Sequence, residues 1–209
     1  MNCPLCNCLT EKSFVANGKN YYRCDNCGLV YMDENDRLCA DDEKKRYSFH
    51  QNSIDDEGYV SFLGRVIEPT MKYLSAGMIG LDYGCGPNPV LAQIIKGKGF
   101  ECDFYDPYFF PQCDFSAKYD FIFATECFEH FFSPSHELDK ICTLLNNNGT
   151  LGIMTEFLPQ NTDFTDWYYK NDPTHVCFYN EKSIGYICSK YNFKELYNDK
   201  HRVIILKKL

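Results

Sequence analysis

Two spacings of apolar positions organise this chain: short contiguous runs, and repeats at three and four residues. Ser13-Phe14-Val15-Ala16, Asn17-Gly18 and Tyr21-Tyr22-Arg23 form a hairpin signature, with Asn-Gly as its tight turn. Val60 to Leu74 reads as a helix. The short run Gly80-Leu81 ends in Asp82 and gives way to a turn with glycines at alternate positions, Gly84-Cys85-Gly86. Asn88 as N-cap and Pro89 as first helical residue then open a helix bearing Val90, Leu91, Ile94 and Ile95. Phe100 to Tyr105 reads as a strand that Pro107 stops, leaving Asp106 at its carboxyl end. Ser133-Pro134 starts another helix, with Leu138, Ile141, Leu144 and Leu145 at helical spacing. Asn146 to Gly149 end that helix, and Thr150 to Thr155 is an apolar strand. Glu181 to Tyr191 is a further helix; Phe193 to Tyr197 and Val203 to Leu206 are strands joined by the polar turn Asn198-Asp199-Lys200. Strands alternating with helices indicate an α/β fold whose mostly parallel sheet is covered on both faces. The short closing turn makes the last strand antiparallel. No internal repeat or low-complexity tract interrupts the pattern.

The turn at Gly84 and Gly86 suits close approach of a ligand to bare backbone, which a Cβ would obstruct. About twenty residues after such a turn, an acidic side chain commonly meets ribose hydroxyls, and Asp106 stands at that distance. The glycines do not have the Gly-x-Gly-x-x-Gly spacing, which argues against a dinucleotide pyrophosphate.

Three motifs together, Leu81-Asp82-Tyr83-Gly84-Cys85-Gly86-Pro87, Tyr105-Asp106-Pro107 and Tyr119-Asp120-Phe121-Ile122-Phe123-Ala124-Thr125-Glu126-Cys127-Phe128-Glu129-His130, resemble the class I S-adenosylmethionine (SAM) methyltransferases. The resemblance runs from about Tyr59 to the C-terminus and implies a Rossmann-like sheet, with the third motif as its fourth strand and following loop. It implies that Asp82, Gly84 and Gly86 lie against the methionine part of SAM, that Asp106 holds the ribose, and that Glu126 sits at the cofactor's edge of the pocket. Asn88 stands where the family often has a third glycine, and the link Tyr108 to Lys118 barely has room for the family's third strand. An adenine contact would fall at Asp114.

Cys3-Pro4-Leu5-Cys6 and Cys24-Asp25-Asn26-Cys27 are two Cys-x-x-Cys knuckles at the ends of the hairpin, the pattern of a zinc ribbon. Each knuckle offers two thiolates on a tight turn, so Cys3, Cys6, Cys24 and Cys27 complete an S₄ shell for a structural Zn²⁺; Cys8 is off the spacing. Paired disulfides are the competing reading. The thirteen cysteines are an odd number, most of the others fall in core elements, and no leader precedes the first knuckle, so reduced thiols in the cytoplasm are expected. Without metal, a segment this small has too little core to fold alone. The expected organisation is a ribbon over 1–33, a linker or cofactor-covering segment over 34–58, and the SAM-binding domain over 59–209.

Charge bears on the substrate. Net charge is −8, and within the first 45 residues eight acidic residues outnumber six basic ones. No positive face for a phosphate backbone is visible. A methyl group transferred to an O, N or C nucleophile of a small metabolite or biosynthetic intermediate is therefore favoured. The alternatives are an RNA methyltransferase that uses the ribbon for recognition, and a non-catalytic SAM-binding zinc protein. No apolar run is long enough for a membrane span.

Two segments are rich in polar groups beyond these motifs. In the first, Tyr47, His50 and Asn52 are candidates to cover the cofactor, by resemblance to the segment before the first core helix of related methyltransferases; a solvated linker is the alternative. The second, Asp166 to Tyr179, holds the only tryptophan, Trp167, in an aromatic stretch able to wall a substrate site. Its Asp172-Pro173-Thr174-His175 resembles a loop of bacterial SAM methyltransferases that carry such a ribbon. If the acceptor must lose a proton, His175 has the right unperturbed pKa, His130 is the second candidate, and Glu126 or Glu129 could orient either.

Overall fold

The structure is a computed structural model, and it describes residues 1–49 and 52–209. At the front, β1 (Ser13–Ala16) and β2 (Lys19–Arg23) pair antiparallel in the register Ala16↔Lys19, so Asn17-Gly18 is a two-residue turn. Both turn residues have positive φ, 50° and 72°, as that turn requires. β2 pairs with β3 (Val30–Met32), and β3 pairs in turn with a two-residue strand from the far end of the chain, β8 (Cys177–Phe178). The sulfurs of Cys3 and Cys27 lie 3.5 Å apart, those of Cys6 and Cys24 3.4 Å, and all four within 4.8 Å of one another. All thirteen cysteines are free thiols.

The segment after β3 forms the short helix α1 (Ala40–Tyr47), followed by α2 (Glu57–Met71), which Asp56 caps through the Tyr59 amide. The main sheet runs in the order β5-β4-β6-β7-β10-β9, made of β4 (Ile79–Tyr83), β5 (Glu101–Tyr105), β6 (Tyr119–Thr125), β7 (Leu145–Met154), β9 (Phe193–Asn198) and β10 (Val203–Lys208). β4 is parallel to β5 and β6, and β6 to β7, while β10 runs antiparallel to both neighbours. The mostly parallel Rossmann-like sheet with an antiparallel last strand is the fold that the pattern predicts.

Period-two alternation distributes each strand's side chains to two cores. Phe121, Phe123, Met154, Val203 and Ile205 meet Leu63, Val66 and Ile67 of α2 and Val90, Leu91 and Ile95 of α3 (Val90–Gly97). Leu81, Ile122, Leu151, Ile153 and Ile204 face the other way, onto Leu138, Ile141 and Leu144 of α4 (Pro134–Leu144) and Ile184 and Ile187 of α5 (Glu181–Lys190). Leu5, Tyr21, Leu29 and Tyr31 of the cysteine module belong to this second core. Asn180 Nδ2 also donates to Gly28 O at 2.7 Å, so the module is welded to the sheet domain through strand pairing, shared core and side-chain bonds.

Three local expectations change. α3 begins at Val90 with Pro89 as N-cap, which has no side-chain acceptor; Asn88 lies one residue earlier, and its Nδ2 donates to Asn52 O at 3.0 Å. Asn146 to Gly149 are already part of β7, since Leu145 pairs with Tyr119 directly after α4 and Asn148 turns the chain at φ 62°. The link 108–118 holds no strand beyond an isolated bridge between Asp106 and Phe110, which leaves β5 at the sheet edge.

Candidate active site

The carboxyl ends of β4, β5 and β6 open onto one cavity of about 530 Å³. Its floor is the glycine turn. Gly84 and Gly86 have φ of +81° and +66°, and a Cβ on Gly84 would come 2.7 Å from the Cβ of Cys127. Glycine is required at Gly84 both by the left-handed backbone and by space. The Gly84 and Cys85 amides donate to Tyr105 O at 2.8 and 3.1 Å, which fastens the turn to β5. Asp106 fastens it again: one carboxylate oxygen accepts from the Gly86 amide at 3.0 Å, the other from the Tyr108 and Phe109 amides at 2.8 and 3.1 Å. Each oxygen keeps lone-pair capacity, and Asp106 lines the cavity.

Asp82 does not. It is 3% exposed, stands behind the turn and accepts from the Ala92 amide of α3 at 3.3 Å. Burial pushes its carboxyl up to about 7, against the Ala92 hydrogen bond and with a contribution from Asp106. The shift is above the unfolded value of about 3.9. The folded protein therefore holds an extra proton between the two values, and Asp82 contributes stability that is full below about 3.9 and gone above about 7. In Asp82→Asn that titration is absent, so its melting temperature should fall less than the wild type's between pH 5 and pH 8; parallel curves would refute the assignment.

Glu126 lies at the end of β6 in the left-handed region, φ 48°, held by its amide's hydrogen bond to Met154 O at 2.7 Å. A non-glycine residue there is uncommon and is maintained by its surroundings. Its Oε1 faces Arg202 Nη1 at 3.4 Å, and Arg202 also holds buried Glu156. Burial, then the charge of Glu129, raise the Glu126 carboxyl, while Arg202 opposes.

The linker helix α1 covers one side. Glu43, only 4% exposed, accepts hydrogen bonds from Tyr47 Oη and Tyr108 Oη, and Arg46 makes a two-pronged ion pair with Asp172 at 2.7 and 3.1 Å. Tyr47 and Asn52 both line the cavity; His50 lies outside the described residues. Burial alone would raise the Asp172 carboxyl, yet hydrogen bonds from Arg46 and Thr174 hold it well below the usual range.

At the far end, three groups converge. Glu129 is fully buried, and its Oε1 accepts from Tyr169 Oη at 2.6 Å. His130 Nδ1 lies 2.9 Å from Thr174 O, His175 Nδ1 lies 2.7 Å from Tyr169 O, and the two ring centroids are 4.9 Å apart. Burial, more than any neighbour, lowers the His175 pKa, so the neutral ring is favoured.

Of the residues singled out from the sequence, Gly84, Gly86, Asp106, Glu126, Tyr47, Asn52, His130 and His175 line this cavity. Trp167 does not: it packs in the core against Phe178 and Tyr169 at 5.8 and 5.3 Å, and its indole NH donates to Glu156. Asp114 is exposed and bonded to Ser116. Glu43 and Tyr108 line the cavity without having been singled out; they lie 65 residues apart, and no local pattern links them.

Comparison with known proteins agrees with this geometry. No curated protein matches the chain in sequence. The fold is shared with the Burkholderia thailandensis 1,6-didemethyltoxoflavin-N1-methyltransferase, solved with 1,6-didemethyltoxoflavin and S-adenosylhomocysteine, at TM-score 0.57 and 13% identity over 95% of this chain and 99% of that one. A SAM-dependent methyltransferase from Aquifex aeolicus superposes at TM-score 0.51 with 16% identity, covering 81% of this chain and 98% of its own. The sequence model described as a methyltransferase domain matches residues 56–197, most of the chain and every strand that builds the cavity floor. The chain belongs to that methyltransferase-domain family.

Proposed function

We propose that the protein transfers the methyl group of SAM to an O, N or C nucleophile of a small metabolite or biosynthetic intermediate. One observation carries the reading: a single cavity has the glycine turn and Asp106 on one wall and Glu129, His130 and His175 on another. When bound, SAM supplies an activated methyl group on a sulfonium. Gly84 and Gly86 leave the backbone bare against its methionine part, Asp106 accepts from ribose hydroxyls, and Glu126 sits at the cofactor's edge of the pocket. Tyr47 and Asn52 close over it from the linker. Methyl transfer is an in-line displacement, so alignment and exclusion of water are the protein's main contributions. The acceptor's proton leaves at the end formed by Glu129, His130 and His175. The Burkholderia enzyme of the same fold holds its small acceptor together with S-adenosylhomocysteine, which supports an acceptor of that size.

For the cysteine module we propose one structural zinc on Cys3, Cys6, Cys24 and Cys27. Zn–S bonds of about 2.3 Å in a tetrahedron set sulfurs about 3.8 Å apart. The close sulfur pairs, the absence of any disulfide and the all-thiolate donor set fit that ion.

His175→Ala tests the acceptor end. Binding of S-adenosylhomocysteine should stay within threefold of wild type, while turnover of a methyl acceptor falls by at least about 100-fold, in the range general acid–base groups contribute. Unchanged turnover would remove His175 from the chemistry.

A further inference from the structure

We propose that Glu129, His130 and His175 form a binding site for one divalent metal cation, distinct from the four-cysteine centre and placed where the acceptor's reacting atom enters. The inference rests on reading this cavity as the methyl-transfer site. A backbone carbonyl can only accept, so the contacts to Thr174 O and Tyr169 O require a hydrogen on Nδ1 of both rings. In the neutral rings the lone pairs are then on Nε2 of His130 and His175. Metal-bound imidazoles are held in this way, the second nitrogen tied to a carbonyl or carboxylate that fixes tautomer and orientation.

The third donor is a carboxylate oxygen of Glu129. Glu129 is fully buried and lines the cavity, yet its Oε2 has no hydrogen-bond partner among the described residues, Oε1 alone being held by Tyr169. A buried carboxylate oxygen without a partner is costly. Its nearest cationic candidate is His130, whose Nε2 is 4.0 Å from Oε1, too long for a hydrogen bond. A cation satisfies the orphan oxygen and uses both ring lone pairs at once.

One donor atom from each residue falls within 4.8 Å of the others. A cation with bonds of about 2.1 Å draws donors to roughly 3–4 Å, a closure that small rotations of the carboxylate and rings supply. The supports are already rigid. Tyr169 holds Glu129 through its hydroxyl and His175 through its carbonyl, and the intervening turn is fixed by Asp172 accepting from the Thr174 amide and hydroxyl at 3.0 and 2.6 Å. Two imidazoles and one carboxylate suit zinc, iron(II), cobalt(II) or manganese(II) rather than calcium, and three protein ligands leave positions open towards the cavity. An occupied site selects acceptors that present a hydroxyl oxygen as donor. The cation lowers that hydroxyl's pKa and its proton passes to water; the oxygen then bonds to the methyl carbon as the carbon–sulfur bond of SAM breaks, its electron pair staying on the sulfur of departing S-adenosylhomocysteine.

The experiment uses full-length protein whose four-cysteine centre is loaded with zinc, titrated with Co²⁺ under reducing conditions. One equivalent should bind and give visible d–d bands without a thiolate-to-cobalt charge-transfer band. Glu129→Gln and His175→Gln should each weaken Co²⁺ binding at least 30-fold while S-adenosylhomocysteine still binds, which confirms the fold. As a check that needs no variant, bound Co²⁺ should shift the ring proton signals of His130 and His175 in the wild type. No binding beyond the thiolate centre, or binding that both variants leave intact with histidine signals unmoved, would overturn the cation site. Either result leaves SAM binding to be judged by its own titration, so a bare histidine base and a failed methyltransferase reading remain distinguishable.

Discussion

Asp106→Ala is expected to abolish measurable binding of S-adenosylhomocysteine, with the dissociation constant rising at least about 100-fold, equivalent to about 2.8 kcal/mol. The size follows from the two duties of this carboxylate. It is the acceptor available to ribose hydroxyls, and it also ties the Gly86 amide to those of Tyr108 and Phe109. Each hydrogen bond to a charged group contributes about 1.5–3 kcal/mol, so alanine removes the ligand contact and loosens the turn that presents it. Asp106→Asn separates the two. The amide oxygen can still receive one set of backbone donors, so melting should change little, while affinity falls by about 30-fold, or roughly 2 kcal/mol. Calorimetric titration of both variants decides the matter. An asparagine variant that binds within threefold of wild type would falsify the ribose role.

Loss of the zinc proposed on Cys3, Cys6, Cys24 and Cys27 should be the most destructive change to the fold. Freshly purified protein is expected to contain about one zinc per chain beyond any cation at Glu129, His130 and His175, and Cys24→Ser should lose it. Structural zinc in small modules contributes about 10–16 kcal/mol of folding free energy, more than the whole stability of a typical domain. The consequence should spread beyond residue 33. Tyr21 packs on Phe164 and Phe178 at 4.9 and 6.0 Å, and β3 holds β8, so collapse of the cysteine module uncovers part of the second core. Near-ultraviolet circular dichroism and calorimetry of Cys24→Ser should show lost aromatic packing and a large drop in melting temperature. Less than about half a zinc per chain bound at the thiolates, or an unchanged melt, would remove the structural zinc.

What was legible in the sequence is what local chemistry writes. Asn17-Gly18 names its own turn type, the two knuckles announce a thiolate cluster, and Gly84, Gly86 and Asp106 stand at a spacing that only parallel neighbouring strands bring together. The rest depended on long-range packing. Asp82 stands at a strand end, where a ligand contact is expected, and one of its carboxylate oxygens accepts from the Ala92 amide of α3, a pairing no local pattern announces. Trp167 looked like a wall, yet it lies among Phe164, Tyr169 and Phe178 in the core. Glu43 had no sequence signal, because its partner Tyr108 lies 65 residues on, in the turn after β5. β8 is two residues long, too short for any periodicity, and its existence is decided by the free edge of β3.

That last pairing has a consequence for how the protein is made. β3 leaves the ribosome beside the β1–β2 hairpin, but its partner Phe178 follows Val30 by 148 positions. At about 5–20 residues per second, the edge of β3 waits roughly 7–30 s for β8. During that interval the nascent chain displays an open strand edge made of Val30, Tyr31 and Met32, all buried in the finished protein, and such edges template pairing between chains. Crowded polysomes and slow translation between β3 and β8 should therefore lower the soluble yield.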